Sequence, residues 1–142
     1  MSGMKNNLVG LDSNIFIYQF QGNPQFKNDT SSIFSQLAAN KIKAITSVIT
    51  FTEILAIKES EQIVSNLKQL LLEVPNMQIL DVSQEIAEEA AMLRRKYNFR
   101  LPDAIQLATA LCAKADLFIT NDTKLKGFKE IKTISLYKFT KM

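Results

Sequence analysis

Four carboxylates stand where packing alone gives little reason for a charge. Asp12 separates the apolar run at 8–11 from the apolar stretch that begins at Ile15, and Glu53 is the only charge within residues 48–57. Asp103 follows Leu101-Pro102 at the head of another apolar segment, and Asp122 closes Leu-Phe-Ile-Thr-Asn-Asp. A half-buried acid is costly unless something pairs with it, and several gathered together repel one another until a cation joins them. The natural occupant is Mg²⁺ or Mn²⁺, bound through one or two carboxylates with waters and a substrate phosphate. Such an ion polarises a phosphoryl oxygen and lowers the pKa of bound water, which is phosphodiester hydrolysis.

Other hydrolytic chemistries are closed by composition. The chain has no histidine, so Ser-His-Asp and Cys-His catalysis and imidazole-ligated zinc are absent. A single cysteine, Cys112, removes a thiolate zinc site and any internal disulfide; within the apolar run 104–115 it reads as a buried, inert thiol. The net charge of +3 is mild but compatible with a polyanionic substrate.

Each acid also has a plainer reading. Asp12 could cap a helix, Asp103 sits in a first turn that the helix dipole already favours, Glu53 could join Thr50 and Thr52 in a solvated stripe, and Asp122 could make an Asx-turn. The combination of all four is what favours function. The remaining acids fit capping and dipole roles: Asp29 as a cap, Asp81 beside Ser83 at a helix start, and Glu85, Glu88 and Glu89 opposite Arg94, Arg95 and Lys96 along one helix.

The elements that must position these residues alternate. Residues 8–11, 43–46, 77–80, 117–120 and 133–136 read as strands. Between them lie a helix from Asn14, a turn at Gly22-Asn23-Pro24, and a helix with Ile33, Phe34, Leu37 and Ala38 on one face. Further along come a helix capped by Ser47 and running to Lys58, and one with Ile63, Leu67, Leu70 and Leu71 at helical spacing that Pro75 stops. The last two are a helix after Ser83 with Ile86, Ala90, Leu93 and Tyr97 on one stripe, and one opened by Pro102 with Ala104, Ala108 and Leu111 buried. Strands alternating with helices predict a single α/β domain over 1–142, with a mostly parallel sheet of four to five strands covered on both faces. Ligands collect beyond the carboxyl ends of such strands, so Asp12 and Asp122 should share one edge and Asp116 should lie at the other. No apolar run approaches the roughly 18 residues that span a bilayer, and 1–7 lacks the apolar core of a signal peptide, so a cytoplasmic protein is expected.

Leu-Asp-Ser-Asn-Ile-Phe-Ile-Tyr at 11–18, Thr-Glu-Ile-Leu at 52–55, Leu-Pro-Asp-Ala-Ile-Gln-Leu-Ala-Thr-Ala at 101–110 and Leu-Phe-Ile-Thr-Asn-Asp at 117–122 resemble, in order and spacing, the PIN-domain nucleases, with the VapC toxins of VapBC toxin-antitoxin systems as the nearest branch. The resemblance covers nearly the whole chain. It implies a Rossmann-like α/β/α sandwich, Mg²⁺ or Mn²⁺ dependence, endonucleolytic cleavage of RNA, a homodimer, and inhibition by an antitoxin. It makes Asp12 and Asp103 the direct metal ligands, with Glu53 and Asp122 completing the acidic pocket and Asn14 and Thr120 as supporting hydrogen-bonders. Ser13 stands where the family often has Thr, and no further acid follows Asp122.

Lys124, Lys126, Lys129, Lys132, Lys138 and Lys141 crowd the tail against the single acid Glu130. They read either as a solvated surface or as phosphate guides, and only Lys124 and Lys126 are near enough to Asp122 in sequence to suggest substrate contact. Two other functions compete. A catalytically inactive PIN-like module for RNA or protein would be expected to have lost acids, whereas all four remain. A haloacid-dehalogenase-type phosphatase also has an Asp after its first strand, but needs a second Asp where this chain has Asn14.

Overall fold

A computed structural model describes residues 3–142. Its strands are Leu8–Leu11 (β1), Lys43–Ser47 (β2), Met77–Leu80 (β3), Leu117–Ile119 (β4) and Lys132–Ile134 (β5). Its helices are Ser13–Gln21 (α1), Lys27–Ala38 (α2), Ile49–Leu55 (α3), Glu61–Leu72 (α4), Gln84–Tyr97 (α5), Leu101–Cys112 (α6) and Leu136–Thr140 (α7), with a 3-10 turn at Thr123–Leu125. All strand pairs are parallel and the spatial order is β3-β2-β1-β4-β5. The order reverses between β1 and β4, and at such a switch point the loops leaving two neighbouring strands part to form a crevice.

Strand alternation divides the core into two layers. Val9, Leu11, Leu117 and Ile119 face one way and pack with Ile15, Phe16, Ile33, Leu37, Leu71 and Phe139 from α1, α2, α4 and α7. Phe118 faces the other way, among Ile86, Leu93, Leu107 and Ala108 of α5 and α6. Gly10 shares that second face: a Cβ there would stand 2.7 Å from the Phe118 ring and 3.0 Å from Ala110 Cβ, so glycine lets α6 lie close on β1. The α/β/α sandwich and the parallel five-stranded sheet agree with the sequence. No helix among the described residues is long and apolar enough to cross a membrane.

Local signals set most boundaries. Ser60 and Ser83 accept the backbone N–H of Ile63 and Ile86 at 3.3 and 3.1 Å, and Gly22 and Asn98 end α1 and α5 in left-handed conformations. Several expectations are corrected. Ser47 belongs to β2 and Val48 holds the cap position of α3, although the Ser47 hydroxyl accepts the N–H of Ile49, the first residue of that helix, at 3.2 Å while donating to Gln106 of α6; α3 stops at Leu55, short of Lys58. Asp29 lies inside the first turn of α2, where Phe26 holds the cap position, so it complements the dipole and does not cap. The fifth strand ends at Ile134; Ser135 accepts the Lys138 N–H and starts α7, which takes Leu136. Ala38 is exposed, as are Ile63 and Leu70 at 42% and 44%, so α4 carries apolar side chains on its outer surface. Cys112 is half-buried where a buried thiol was expected, and burial, then the nearby Glu85 and Glu89, push its pKa up, which disfavours the reactive thiolate.

Candidate active site

Asp12 leaves β1 at the switch point, its backbone N–H extending the ladder to Ile119 O at 3.1 Å. It occupies the cap position of α1, yet its carboxylate makes no cap hydrogen bond. Instead Oδ2 accepts the Thr120 hydroxyl at 2.6 Å. The plainer capping reading therefore does not account for this acid. Burial pushes the Asp12 carboxyl up to about 6; Thr120 and the Ser13 backbone N–H pull it down, and the charges of Asp103 and Glu53 push it further up.

Thr120 follows β4 and is buried. Besides donating to Asp12, its Oγ1 accepts the Asp122 N–H at 3.0 Å, so one hydroxyl ties the loops after β1 and β4 together. Asp122 makes the Asx-turn as well: Oδ1 accepts the Lys124 N–H at 2.9 Å and opens the 3-10 turn. The turn does not remove Asp122 from the site, because its charge still raises Asp103.

Glu53 is half-buried on α3, and Oε1 accepts the Ser13 hydroxyl at 2.7 Å. The alternative reading, a solvated stripe shared with Thr50 and Thr52, does not hold, since Thr52 is exposed and Thr50 fully buried. Thr50 belongs to a polar seam centred on Gln106 of α6. The Gln106 amide donates to Ser13 at 3.0 Å and to Thr50 at 2.8 Å, and its Oε1 accepts from Ser47 at 3.1 Å. Thr50 and Thr46 lie 2.7 Å apart, and Thr46 reaches the Leu11 carbonyl at 3.4 Å. No buried side-chain polar atom among the described residues lacks a partner, so the seam is closed.

Asp103 stands half-buried in the first turn of α6, with Arg100 Nε 3.4 Å from Oδ2. Burial raises its pKa; Arg100 opposes this, while Asp122 and Glu53 add to it. Asp12 at the β1–α1 junction, Glu53 on α3, Asp103 on α6 and Asp122 in the β4 loop are thus linked through Asp12 and Asp103, on each of which two of the other acids act. Among the described residues no three Asp, Glu or Cys side chains close into a ready-made metal cage.

The supporting residues differ from the sequence expectation in part. Asn14 is exposed and makes no side-chain hydrogen bond among the described residues; Ser13 beside it is the group that reaches Glu53. Gln106 was missed, although a glutamine inside the apolar run 104–108 was a signal. Tyr18 and Asn121 were missed too: Asn121 Oδ1 accepts the Leu136 N–H at 2.9 Å, and the nearby Tyr18 hydroxyl has its pKa raised by burial and the Asp12 charge, with Asn121 opposing. Lys126 and Lys138 line a cavity of about 470 Å³ beside Thr120 and Asp122, whereas Lys124 does not line it.

Residues 9–132 match the PIN domain family. The chain belongs to the PIN domain family. Solved structures of similar fold include VapBC2 from Rickettsia felis bound to a promoter DNA fragment (18% identity, TM-score 0.72, covering 90% of this chain and 98% of that one). A toxin-antitoxin complex from Klebsiella pneumoniae is similar at 26% identity and TM-score 0.67, covering 92% and 97%. FitAcB from Neisseria gonorrhoeae is similar at 19% identity and TM-score 0.68, covering 92% and 98%. No curated protein sequence matches this PIN domain significantly.

Proposed function

We propose that this PIN domain is a divalent-metal-dependent endoribonuclease and the toxin of a VapBC-type toxin-antitoxin pair. What supports the nuclease reading is that Asp12, Glu53, Asp103 and Asp122 come from separate elements, with Glu53 and Asp103 acting on the Asp12 charge and Glu53 and Asp122 on that of Asp103. A donor set of hard carboxylate oxygens, with two members raised by burial and repulsion, suits Mg²⁺ or Mn²⁺, which need only one or two protein carboxylates. Asp12 and Asp103 would hold the ion, with Glu53 and Asp122 completing the surround. When bound, such an ion polarises a phosphoryl oxygen and acidifies a water. The chain's own part is orientation: Thr120 fixes Asp12, and Ser13, held by Gln106, aims Glu53.

The partner reading draws on the Klebsiella complex and on an apolar groove of about 280 Å³ lined by Ile17, Phe20, Ile54, Ile57 and Leu67, which opens beside Glu53. A second hollow shares Phe20 and continues to Phe34, Leu70 and Val74. An amphipathic antitoxin segment would bury apolar side chains there and cover Glu53. A homodimer belongs to the same reading, and light scattering on the free protein decides it.

The deciding experiment incubates the purified protein with structured RNAs, with and without Mg²⁺ or Mn²⁺. Cleavage that chelator abolishes and either ion restores is the expected result. Full activity in excess chelator refutes the metal-dependent mechanism, and binding without cutting under either ion leaves an inactive RNA-binding module.

A further inference from the structure

We propose that the cavity between the β4 loop and α7 is a phosphate subsite that holds the RNA backbone one nucleotide away from the acids; the inference rests on the nuclease reading above. The cavity, about 470 Å³, lies beyond the carboxyl ends of β4 and β5 and shares Thr120 and Asp122 with the acidic site. It is therefore the next crevice along the same sheet edge. Its volume is in the range that holds a small organic ligand.

The lining is built for an anion. Lys126 and Lys138 both line it, and neither forms an ion pair among the described residues, where the only pairs are Lys96–Glu130 and Arg100–Asp103. Thr123 and Thr133 also line it, and neither hydroxyl has a hydrogen bond among the described residues. The one acid in the wall is Asp122, whose Oδ1 already accepts the Lys124 N–H. Two lysines against one partly satisfied acid give the lining residues a net positive charge beside a negative cluster.

That juxtaposition fits a polynucleotide better than a free anion. A single strand carries one phosphate per nucleotide, so a strand whose scissile phosphate lies at the acids must bring its neighbouring phosphate to an adjoining place. Acids beside an unpartnered lysine pair offer both places in order. Lys138 lies far from Asp122 in sequence, but the return of the chain through β5 brings it to the same cavity.

The test uses a Lys126→Gln/Lys138→Gln double variant, with exposed Lys41→Gln/Lys43→Gln at the entry to β2 as the control for lost charge. In chelator, adenosine 5′-monophosphate should shift the backbone amide resonances of Thr123, Ser135 and Lys138, and adenosine should not. Inorganic phosphate separates recognition of the bare anion from recognition of a nucleotide. Loss of these shifts in the double variant alone supports the subsite; shifts scattered over the surface, or unchanged in the variant, overturn it. In cleavage assays with Mn²⁺ the double variant should raise KM about tenfold with kcat within about twofold, and reduce the slope of log affinity against log salt by about one. An equal effect from the control pair overturns the subsite. If the parent cuts no RNA at all, the nuclease reading fails, and the resonance shifts still decide whether the cavity binds a nucleotide phosphate.

Discussion

The side-chain amide of Gln106 donates to the Ser13 hydroxyl at 3.0 Å, and Ser13 in turn donates to Glu53 at 2.7 Å. A residue of α6 thereby steers an acid on α3 through the first turn of α1. Because Gln106 also serves Thr50 and Ser47, Gln106→Leu leaves three buried hydroxyls short of a partner. The expected loss is roughly 2–4 kcal/mol of stability, since each stranded buried group costs about 1–3 kcal/mol and some relax. Urea unfolding reads it directly. The folded fraction should also cleave more slowly, because Glu53 loses its fixed orientation; unchanged stability would show that the seam contributes nothing.

Asp116 does its work at the opposite sheet edge. Its carboxylate accepts the backbone N–H groups of Lys5, Asn6 and Leu8 at 2.9–3.1 Å, clamping the segment that leads into β1. Asp116→Asn turns one acceptor oxygen into an amide nitrogen that faces these N–H donors. The melting temperature should fall by a few degrees, corresponding to about 1–2 kcal/mol, while cleavage per folded molecule stays within about twofold. Inactivity equal to that of Asp12→Asn would place Asp116 in the chemistry and break the two-edge account.

Much of this architecture was legible because its signals are local. The apolar run into β1, the Ser83 cap, and Pro102 in the first turn of α6 each act within a few residues, and alternation of strands and helices then brings Asp12 and Asp122 to one edge. What was not legible depends on contacts made across the fold. Ser47 and Thr50 read as a cap and a solvated position, but both turn inward because Gln106, which is 56 residues beyond Thr50, supplies their partners. Lys138 looked too distant from Asp122, since nothing local announces that β5 closes the separation. Asn14 and Ser13 are adjacent and both polar; only the helix phase decides that Ser13 turns toward Glu53.

Arg100 lies beside Asp103 and is the side-chain cation paired with this acid among the described residues. The guanidinium is largely exposed, so the pair adds little stability on its own. Its positive charge should nevertheless compete with a divalent ion for Asp103. Arg100→Gln should leave the melting temperature in chelator within about 3 °C of the parent. It should also lower, by about two- to fivefold, the Mn²⁺ concentration that gives the half-maximal thermal shift. Weaker Mn²⁺ binding in the variant would mean that Arg100 organises the site and does not compete for it.

The charge state of Asp12 links stability, metal and pH in one measurement. Its carboxyl titrates at about 6 in the fold against 3.8 for the free side chain. Between those values the native protein holds a proton that the unfolded chain has released, so stability falls as pH rises through that window and stays low above it. The full effect is at most roughly 3 kcal/mol, because each tenfold difference in proton affinity between the folded and unfolded chain corresponds to about 1.4 kcal/mol. Asp103 is raised as well and acts in the same sense. In chelator, therefore, this contribution makes the parent more stable at pH 5 than at pH 7.5. Asp12→Asn is neutral throughout and can still accept the Thr120 hydroxyl, so its stability should vary less over that range and match or exceed the parent at pH 7.5. Adding Mn²⁺ at pH 7.5 should reverse the ranking, because the ion stabilises the folded parent and finds one ligand fewer in the variant. Cleavage by Asp12→Asn should fall at least about a hundredfold, which is roughly 2.7 kcal/mol of barrier. Melting curves in chelator at both pH values, with and without Mn²⁺, check the whole set. Equal pH slopes for parent and variant would show that Asp12 is not the raised acid, and an equal Mn²⁺ shift would remove it from the metal site.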